Sequence, residues 1–485
     1  MMNFLKNMFT NSKKSEIPES FQKNLQDIHE RSDPRDNEES LPPPNENINI
    51  RCIWIIEIYP PNYIENLYAC IENLGWNSPY EQTPHHNVVN WIKQNRQSSF
   101  GAGLNLNYIQ REKMSNMDRT APFPECFDGA FGTIMQIIPS ATILMLQFIV
   151  NKDYQQVLEK PLREKYTTYI KMSGNTPVYI QPHYQKTLAV ENARLKLYNN
   201  GYQWFKQHAP GFFSSYPKEN MFPTSEFVTL SEGTPLSKSH YLGKLKFSSI
   251  SGAWKSECLP GLTLWINDKN SHLYFVGNFD ELLPEKSMLC GHEKNTLGLS
   301  IALMDLSDNL GLWSLLIMAT EYESQLSGLR DMSIKLVNND IETAINILGK
   351  MENDLLVMES SISSFIRELR DLCDGTIKTR DDIKLTPLDT WMTTKTFYEL
   401  TKLRLLFKAT YLKRLKKEVH QFINSNSQRL SAASNLKLAR ENIKVQHLMI
   451  ILTLVLLLFT FITNFKVFQS FATYICGILR PMMKF

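Results

Sequence analysis

Apolar and polar residues along this chain change rhythm several times, and each rhythm predicts a different kind of structure. Residues 10 to 48 are rich in Ser, Asn, Glu, Lys and Pro and end in SLPPPNENIN, so residues 1–48 read as a disordered leader. The first apolar run is IRCIWIIEIYP (50–60), continuous rather than alternating and closed by prolines. That pattern predicts a strand buried on both faces. NYIENLYACIENLGW then places Ile64, Leu67, Tyr68, Ile71 and Leu74 at helical spacing, with Gly75 as the stop, and HNVVNWIKQNR gives a second short helix. Residues 129–150 carry no charge, and Pro139-Ser140 splits them into two β-branched runs of about eight. They predict two adjacent core strands rather than a kinked membrane span.

Helical spacing returns at 153–170, through Val157, Leu158, Leu162, Tyr166, Tyr169 and Ile170, and at 183–207, through Leu188, Leu195, Tyr198, Tyr202 and Phe205. EFVTL (226–230) is a short strand. GLTLWINDKNSHLYFVGN (261–278) is a hairpin turning at Asn267 to Asn270. Residues 49–296 therefore read as a mixed-sheet α+β or α/β domain.

Beyond about residue 297 glycine and proline become scarce and long helices are predicted. A long helix is expected over 297–373, its first part packing beneath the sheet. Its heptad stripe is the clearest periodic signal in the chain. Ile334, Val337, Ile341, Ala344, Leu348, Met351, Leu355, Met358, Ile362, Phe365, Leu369 and Leu372 are spaced 3, 4, 3, 4 without a slip. These are the a and d positions of a coiled-coil seam. A loop at 374–390 and a second stalk helix at 391–446 follow. Leu400, Leu403, Phe407, Tyr411, Leu415, Val419 and Phe422 form an apolar stripe on that helix. An antiparallel helical hairpin is the simplest arrangement, with NSNSQRLSAASN (424–435) as the place for a break or neck. The stripe also offers a route to a homo-oligomer through the stalk.

The last rhythm is no rhythm at all. HLMIILTLVLLLFTFITNF (447–465) is apolar on every face, with Leu448, Ile450, Ile451, Leu454, Leu457 and Phe461 among its residues. A buried helix of a soluble core normally keeps one polar side, so the segment predicts a single transmembrane helix. Lys413, Arg414, Lys416, Lys417, Lys437, Arg440 and Lys444 precede it, and only Lys466, Arg480 and Lys484 follow. That bias keeps the preceding body cytoplasmic. A span this close to the end has the layout of a tail anchor, and residues 466–485 read as a short apolar piece lying in the interface.

Composition adds mostly exclusions. The chain has 485 residues, 43% of them hydrophobic and 21% charged, with a net charge of +3. No basic excess marks a nucleic-acid surface. MMNFLKNMFTNSKKSE lacks the sustained apolar core of a secretory signal. Seven cysteines, Cys52, Cys70, Cys126, Cys258, Cys290, Cys373 and Cys476, are scattered without a Cys-x-x-Cys pair, which suits reduced thiols in a cytosolic body.

The search for chemistry yields fragments only. There is no P-loop, no Gly-x-Ser-x-Gly elbow and no His-Glu-x-x-His. FGAGLN (100–105) lacks the third glycine of a dinucleotide loop. His85-His86 and Cys290-Gly-His292-Glu293 carry metal-ligand chemistry at spacings too short for one tetrahedral ion, and surface loops explain them better. Trp54, Trp76, Trp91, Trp204, Trp254 and Trp265 read as core packing. No catalytic, cofactor or metal residue is assigned, and no cofactor is expected.

A cytosolic α/β domain, a long helix entering the membrane and a short apolar tail together resemble the CorA-type magnesium channels. LTLVLLLFTFITNF is similar to the first membrane helix of that family. The Gly-Met-Asn signature that would follow is replaced by ITNFKVF, and a full second span is missing, so no functional residue carries over. The resemblance implies an ion channel or transporter subunit oligomerising through its last helices. The residues themselves favour a membrane-anchored scaffold or sensor with an unidentified protein partner. A membrane-tethered enzyme without a visible motif is the third reading.

Overall fold

The computed structural model describes residues 24–76, 87–98, 101–106, 108–111, 119–173, 176–215, 222–232, 250–259, 261–267, 272–278, 282, 306–336, 340–378, 384–388 and 394–479. They fall into two compact units, one spanning 1–324 with 359–413, the other 325–358 with 414–485. Three helices pass from one unit into the other, so the division between these units lies inside helices.

The first unit is built on one sheet. Its strands are β1 (Ile48–Tyr59), β2 (Ala102–Asn105), β3 (Ile109–Gln110), β4 (Arg119–Thr120), β5 (Phe127–Ile138), β6 (Ala141–Val150), β9 (Thr224–Leu230), β10 (Ile250–Ser256), β11 (Thr263–Asn267), β12 (His272–Asn278) and β13 (Leu385–Pro387). A separate hairpin pairs β7 (Tyr169–Ser173) with β8 (Thr176–Ile180). The order across the main sheet is β13-β10-β11-β12-β9-β1-β6-β5-β3-β4, with β2 also on β5. Its pairings are antiparallel except β12 with β9 and β3 with β4, so the sheet is mixed, as predicted. The apolar run 129–150 is the β5–β6 hairpin and 261–278 the β11–β12 hairpin.

The central strands are apolar at nearly every position because helices cover both faces. The helices of this unit include α1 (Asp33–Glu39), α2 (Ile64–Asn73), α3 (Val88–Asn95), the single turns α4 (Lys152–Gln155) and α5 (Glu159–Arg163), and α6 (Pro182–His208). α6 lies against the face that carries Ile55 and Phe148. A Cβ on its Gly201 would fall 2.1 Å from Ile55 Cδ1, so a larger residue there would force the Ile55 side chain to shift. α7 (Ser307–Lys335) lies on the opposite face, where a Cβ on Gly311 would fall 2.7 Å from Ile137 Cδ1. Trp54, Trp76, Trp204, Trp254 and Trp265 are buried.

Several expectations need correction. The leader is not disordered throughout 1–48: residues 24–39 are helical, and Asp33, Asn37, Ser40 and Glu46 are buried. The Asp33 carboxylate accepts from Thr168 N and Oγ1 at 2.7 and 2.6 Å, and Asn37 exchanges two bonds with the Tyr166 backbone. Buried Lys186 of α6 donates to Ser40 Oγ. The segment docks by hydrogen bonds rather than apolar burial, which is why its composition resembles disorder. The helix expected at 153–170 is only α4 and α5, and Tyr169 and Ile170 belong to a strand. The loop at 374–390 contains β13, which extends the sheet edge against β10.

In place of one helix over 297–373 the chain forms two, α7 and α8 (Ile341–Cys373). Asp340 caps α8, its Oδ1 accepting from Glu342 N and Thr343 N at 3.1 and 3.0 Å. The third helix, α9 (Phe397–Leu479), runs for 83 residues. It starts in a capping box in which Thr396 and Glu399 each bond the other's backbone N–H. It does not break at 424–435, since each Asn or Ser costs a helix under about 1 kcal/mol. Its buried stripe is Thr401, Leu405, Ala409, Leu412, Leu415, Val419 and Ile423, while the expected Phe407 and Phe422 are 65% and 44% exposed.

Candidate membrane-spanning helix

The seam positions are apolar at heptad spacing, and most are buried. In the second unit these are Ala344, Leu348, Met351 and Leu355, and Leu326 and Leu329 of α7 and Leu415, Val419 and Ile423 of α9 are buried in the same unit. Asn426 donates to the Ser333 carbonyl at 3.3 Å, joining α9 to α7 there. In the first unit Ile362, Phe365, Leu369 and Leu372 are buried, and Phe365 meets Tyr322 with ring centres 5.4 Å apart. Cys373 Sγ reaches the Lys402 carbonyl, and Lys408 pairs with Glu323. Three helices thus share these contacts where two were expected. Ile341 and Met358 are half-buried. The side chain of Ile334, and Val337 altogether, lie outside the described residues.

Past Ile423 burial fades, and from Asn435 to Gly477 every side chain of α9 is exposed. The anchor residues follow this pattern: Leu448 is 66% exposed and Phe461 69%, with Ile450, Ile451, Leu454 and Leu457 in the same class. This is the one helix among the described residues long and apolar enough to cross a membrane, and none of its apolar window is buried in the protein. Its regular backbone satisfies every interior N–H and C=O along the axis, the condition for a segment surrounded by hydrocarbon. Thr453, Thr460 and Thr463 each donate back to the carbonyl four residues earlier at 2.7 Å. The helix continues without interruption past Lys466 to Leu479, so residues 466–479 are part of it.

The other sequence fragments resolve differently. Residues 102–105 of the Gly-Ala-Gly stretch form β2, paired with β5, and make a strand rather than a phosphate loop. His85, His86, Cys290, His292 and Glu293 lie outside the described residues. Among the described residues no three His, Cys, Asp or Glu side chains are grouped to hold a metal. Burial pushes the Cys52 and Cys70 thiols up to about 12 and Cys126 up to about 11, which keeps them protonated and unreactive at neutral pH.

Two buried polar clusters escaped the sequence. Arg194 of α6 donates to Glu226 of β9 at 2.9 Å, Tyr198 donates to the other carboxylate oxygen, and the guanidinium lies 5.3 Å from the Tyr274 ring centre. Glu57 of β1 accepts from the N–H groups of Ile58, Phe213 and Ser214 at 2.8, 2.8 and 2.9 Å. Both clusters are inside the fold and tie elements together. An isolated Glu or Arg in a sequence gives no sign of such a partner.

The chain matches no protein-family profile, no curated protein and no solved structure.

Proposed function

We propose that the chain is a membrane-anchored scaffold or sensor. The sheet-bearing body lies on the cytoplasmic side, and residues 447–465 of α9 cross the bilayer. The observation that carries the reading is the continuous exposure of Leu448 to Phe465, apolar on every face of one helix. Water solvates such a surface poorly. At about 25 cal/mol per Å² of apolar area, transfer into hydrocarbon strongly favours the membrane. Lys437, Arg440 and Lys444 are exposed, spaced 3 and 4 on one side of the helix just before the run, and suit the cytoplasmic headgroups.

Two details narrow the role. Most of the described seam positions are buried within one chain, which supports assigning self-association to the exposed apolar part of α9 rather than to the seam. The threonines that a pore reading would place along a channel wall are bonded to their own helix backbone, which favours an anchor over a CorA-like conduit.

Alkaline carbonate extraction of membranes expressing the full chain is the direct test. The chain is expected to stay in the pellet and to move to the supernatant once residues 446–485 are deleted. Release of the intact chain into carbonate would remove the membrane reading. In detergent, the intact chain is expected to self-associate and the truncated chain to run as a monomer.

A further inference from the structure

A polar cavity opens at one end of the sheet, where the start of β1, the end of β9 and the α4 turn meet. Its volume is about 670 Å³. Leu230 is its one apolar lining residue among the described ones, and the rest are amides, hydroxyls and charges, among them Arg51, Lys152 and Asp153. Binding sites for drug-like or lipidic ligands are walled mostly by apolar groups. A ligand here draws its affinity from hydrogen bonds and charge.

The wall is built, not incidental. Arg51 sits at a β-bulge: Ile50 pairs with Val228 and Cys52 with Phe227, so Arg51 is the extra residue of β1. Bulges of this kind re-aim one side chain. The guanidinium is then fixed by Nε donating to Thr229 Oγ1 at 2.8 Å and Nη1 donating to Gln155 Oε1 at 2.7 Å. Both acceptors are buried. Gln155 is itself oriented by donating to the Val150 carbonyl at 3.0 Å. On the far wall Ser231 is held by Asn47 N–H and by the buried carboxylate of Glu46. Lys152 and Asp153 stand exposed at the rim.

We infer that this cavity binds a small phosphorylated polyol. Arg51 and Lys152 together take the phosphate, which Arg recognises through its planar fork and Lys as a point charge. Asp153, the amides and the hydroxyls of Thr229 and Ser231 serve the ring hydroxyls. A neutral sugar would lack a group for the two cations. A bare phosphate would leave most of the cavity to water. This deepens the sensor reading above, since it names what the anchored body detects. The same chemistry occurs as a free metabolite or as an inositol phosphate headgroup on a lipid.

Titration calorimetry on the full chain distinguishes these sources. One arm uses free myo-inositol 1-phosphate against protein in detergent, with myo-inositol and inorganic phosphate as controls. The other uses protein in nanodiscs with or without phosphatidylinositol. Saturable binding in either arm, weakened about tenfold or more by both Arg51→Gln and Lys152→Ala and absent for myo-inositol, supports the site and says which source it reads. Lys152 is exposed, so its variant tests the cavity even if Arg51→Gln unfolds. Binding in neither arm, or binding that Lys152→Ala leaves unchanged, overturns the proposal. Because the carbonate test reads the anchor independently, a chain that stays in membranes yet binds neither probe loses the cavity and keeps the span.

Discussion

Glu57 shows how much one side chain decides inside this sheet. It is completely buried, and desolvation pushes its carboxyl up to about 7 although three backbone N–H groups favour the anion. Between its ordinary value of 4.5 and about 7 the folded chain retains a proton that the unfolded chain has released. Folding therefore takes up a proton in that window, and stability falls as pH rises through it. Above about 7 the whole cost stands, about 3 kcal/mol. Urea unfolding of the full chain in detergent at pH 5 and pH 8 is expected to show this loss, and Glu57→Gln to remove that part of the difference. An identical pH dependence in both proteins would show that Glu57 ionises freely. The Arg194–Glu226 pair has the opposite logic. Its charges compensate each other in the core, so removing one strands the other. Glu226→Ala is expected to destabilise by about 3 to 5 kcal/mol, read from the same unfolding curves. Neither the Glu57 contacts with Phe213 and Ser214 nor the Arg194–Glu226 pair was legible in the sequence, because each joins residues far apart along the chain through geometry that only the fold supplies.

At the scale of elements, the sequence was legible wherever apolar burial drove the structure. The runs at 50–60 and 129–150 became strands because both of their faces are covered, and residues 183–207 became α6. It was illegible where hydrogen bonds did the work. Residues 24–40 bury little hydrocarbon and attach through Asp33 and Asn37, so their composition mimics a solvated tail. Asp33→Ala removes two charge-assisted bonds to Thr168 and is expected to cost about 2 kcal/mol, with faster proteolysis at residues 24–40 as the sign of release. The α9 stripe was misread because the sequence draws attention to the large apolar Phe407 and Phe422, while the structure buries the small Thr401 and Ala409. The seam gives a sharper test. Leu355 and Ile362 belong to one heptad series but to different compact units, Ile362 to the one that holds the sheet. Ile362→Lys is expected to lower the unfolding midpoint of the sheet, at a cost of about 3 kcal/mol. Leu355→Lys is expected to spare it while exposing the second unit to protease. Equal damage from both would mean that one cooperative unit spans the seam.

For the whole molecule, the proposed anchoring raises the question of how α9 would sit in a bilayer. Its apolar stretch from Leu448 to Leu479 is about 48 Å long at 1.5 Å per residue, against a hydrocarbon core of about 30 Å. Lys466 is the single charge within it. A lysine near the bilayer centre costs about 3 kcal/mol on insertion scales, whereas at the boundary its ammonium reaches the headgroups. Under the proposed anchoring, residues 447–465 would fill the core, Lys466 would mark the far surface, and Phe468, Phe471 and Tyr474 would continue the helix beyond it. The chain carries its own reporters for this arrangement. Cys258 is exposed on the body, and Cys476 is exposed about 15 Å past Lys466, while Cys52, Cys70 and Cys126 are buried. With Cys290 and Cys373 replaced by Ser, a membrane-impermeant maleimide is expected to label Cys258 from the cytoplasmic side only and Cys476 from the opposite side only. Labelling of both from one side would end the single-crossing topology. Lys466→Leu removes the marker, so the longer apolar helix tilts and draws its far end inward. Cys476 labelling is then expected to fall while Cys258 labelling stays the same. Unchanged Cys476 labelling in that variant would mean that the flanking cations before Leu448, not Lys466, set the depth of the helix.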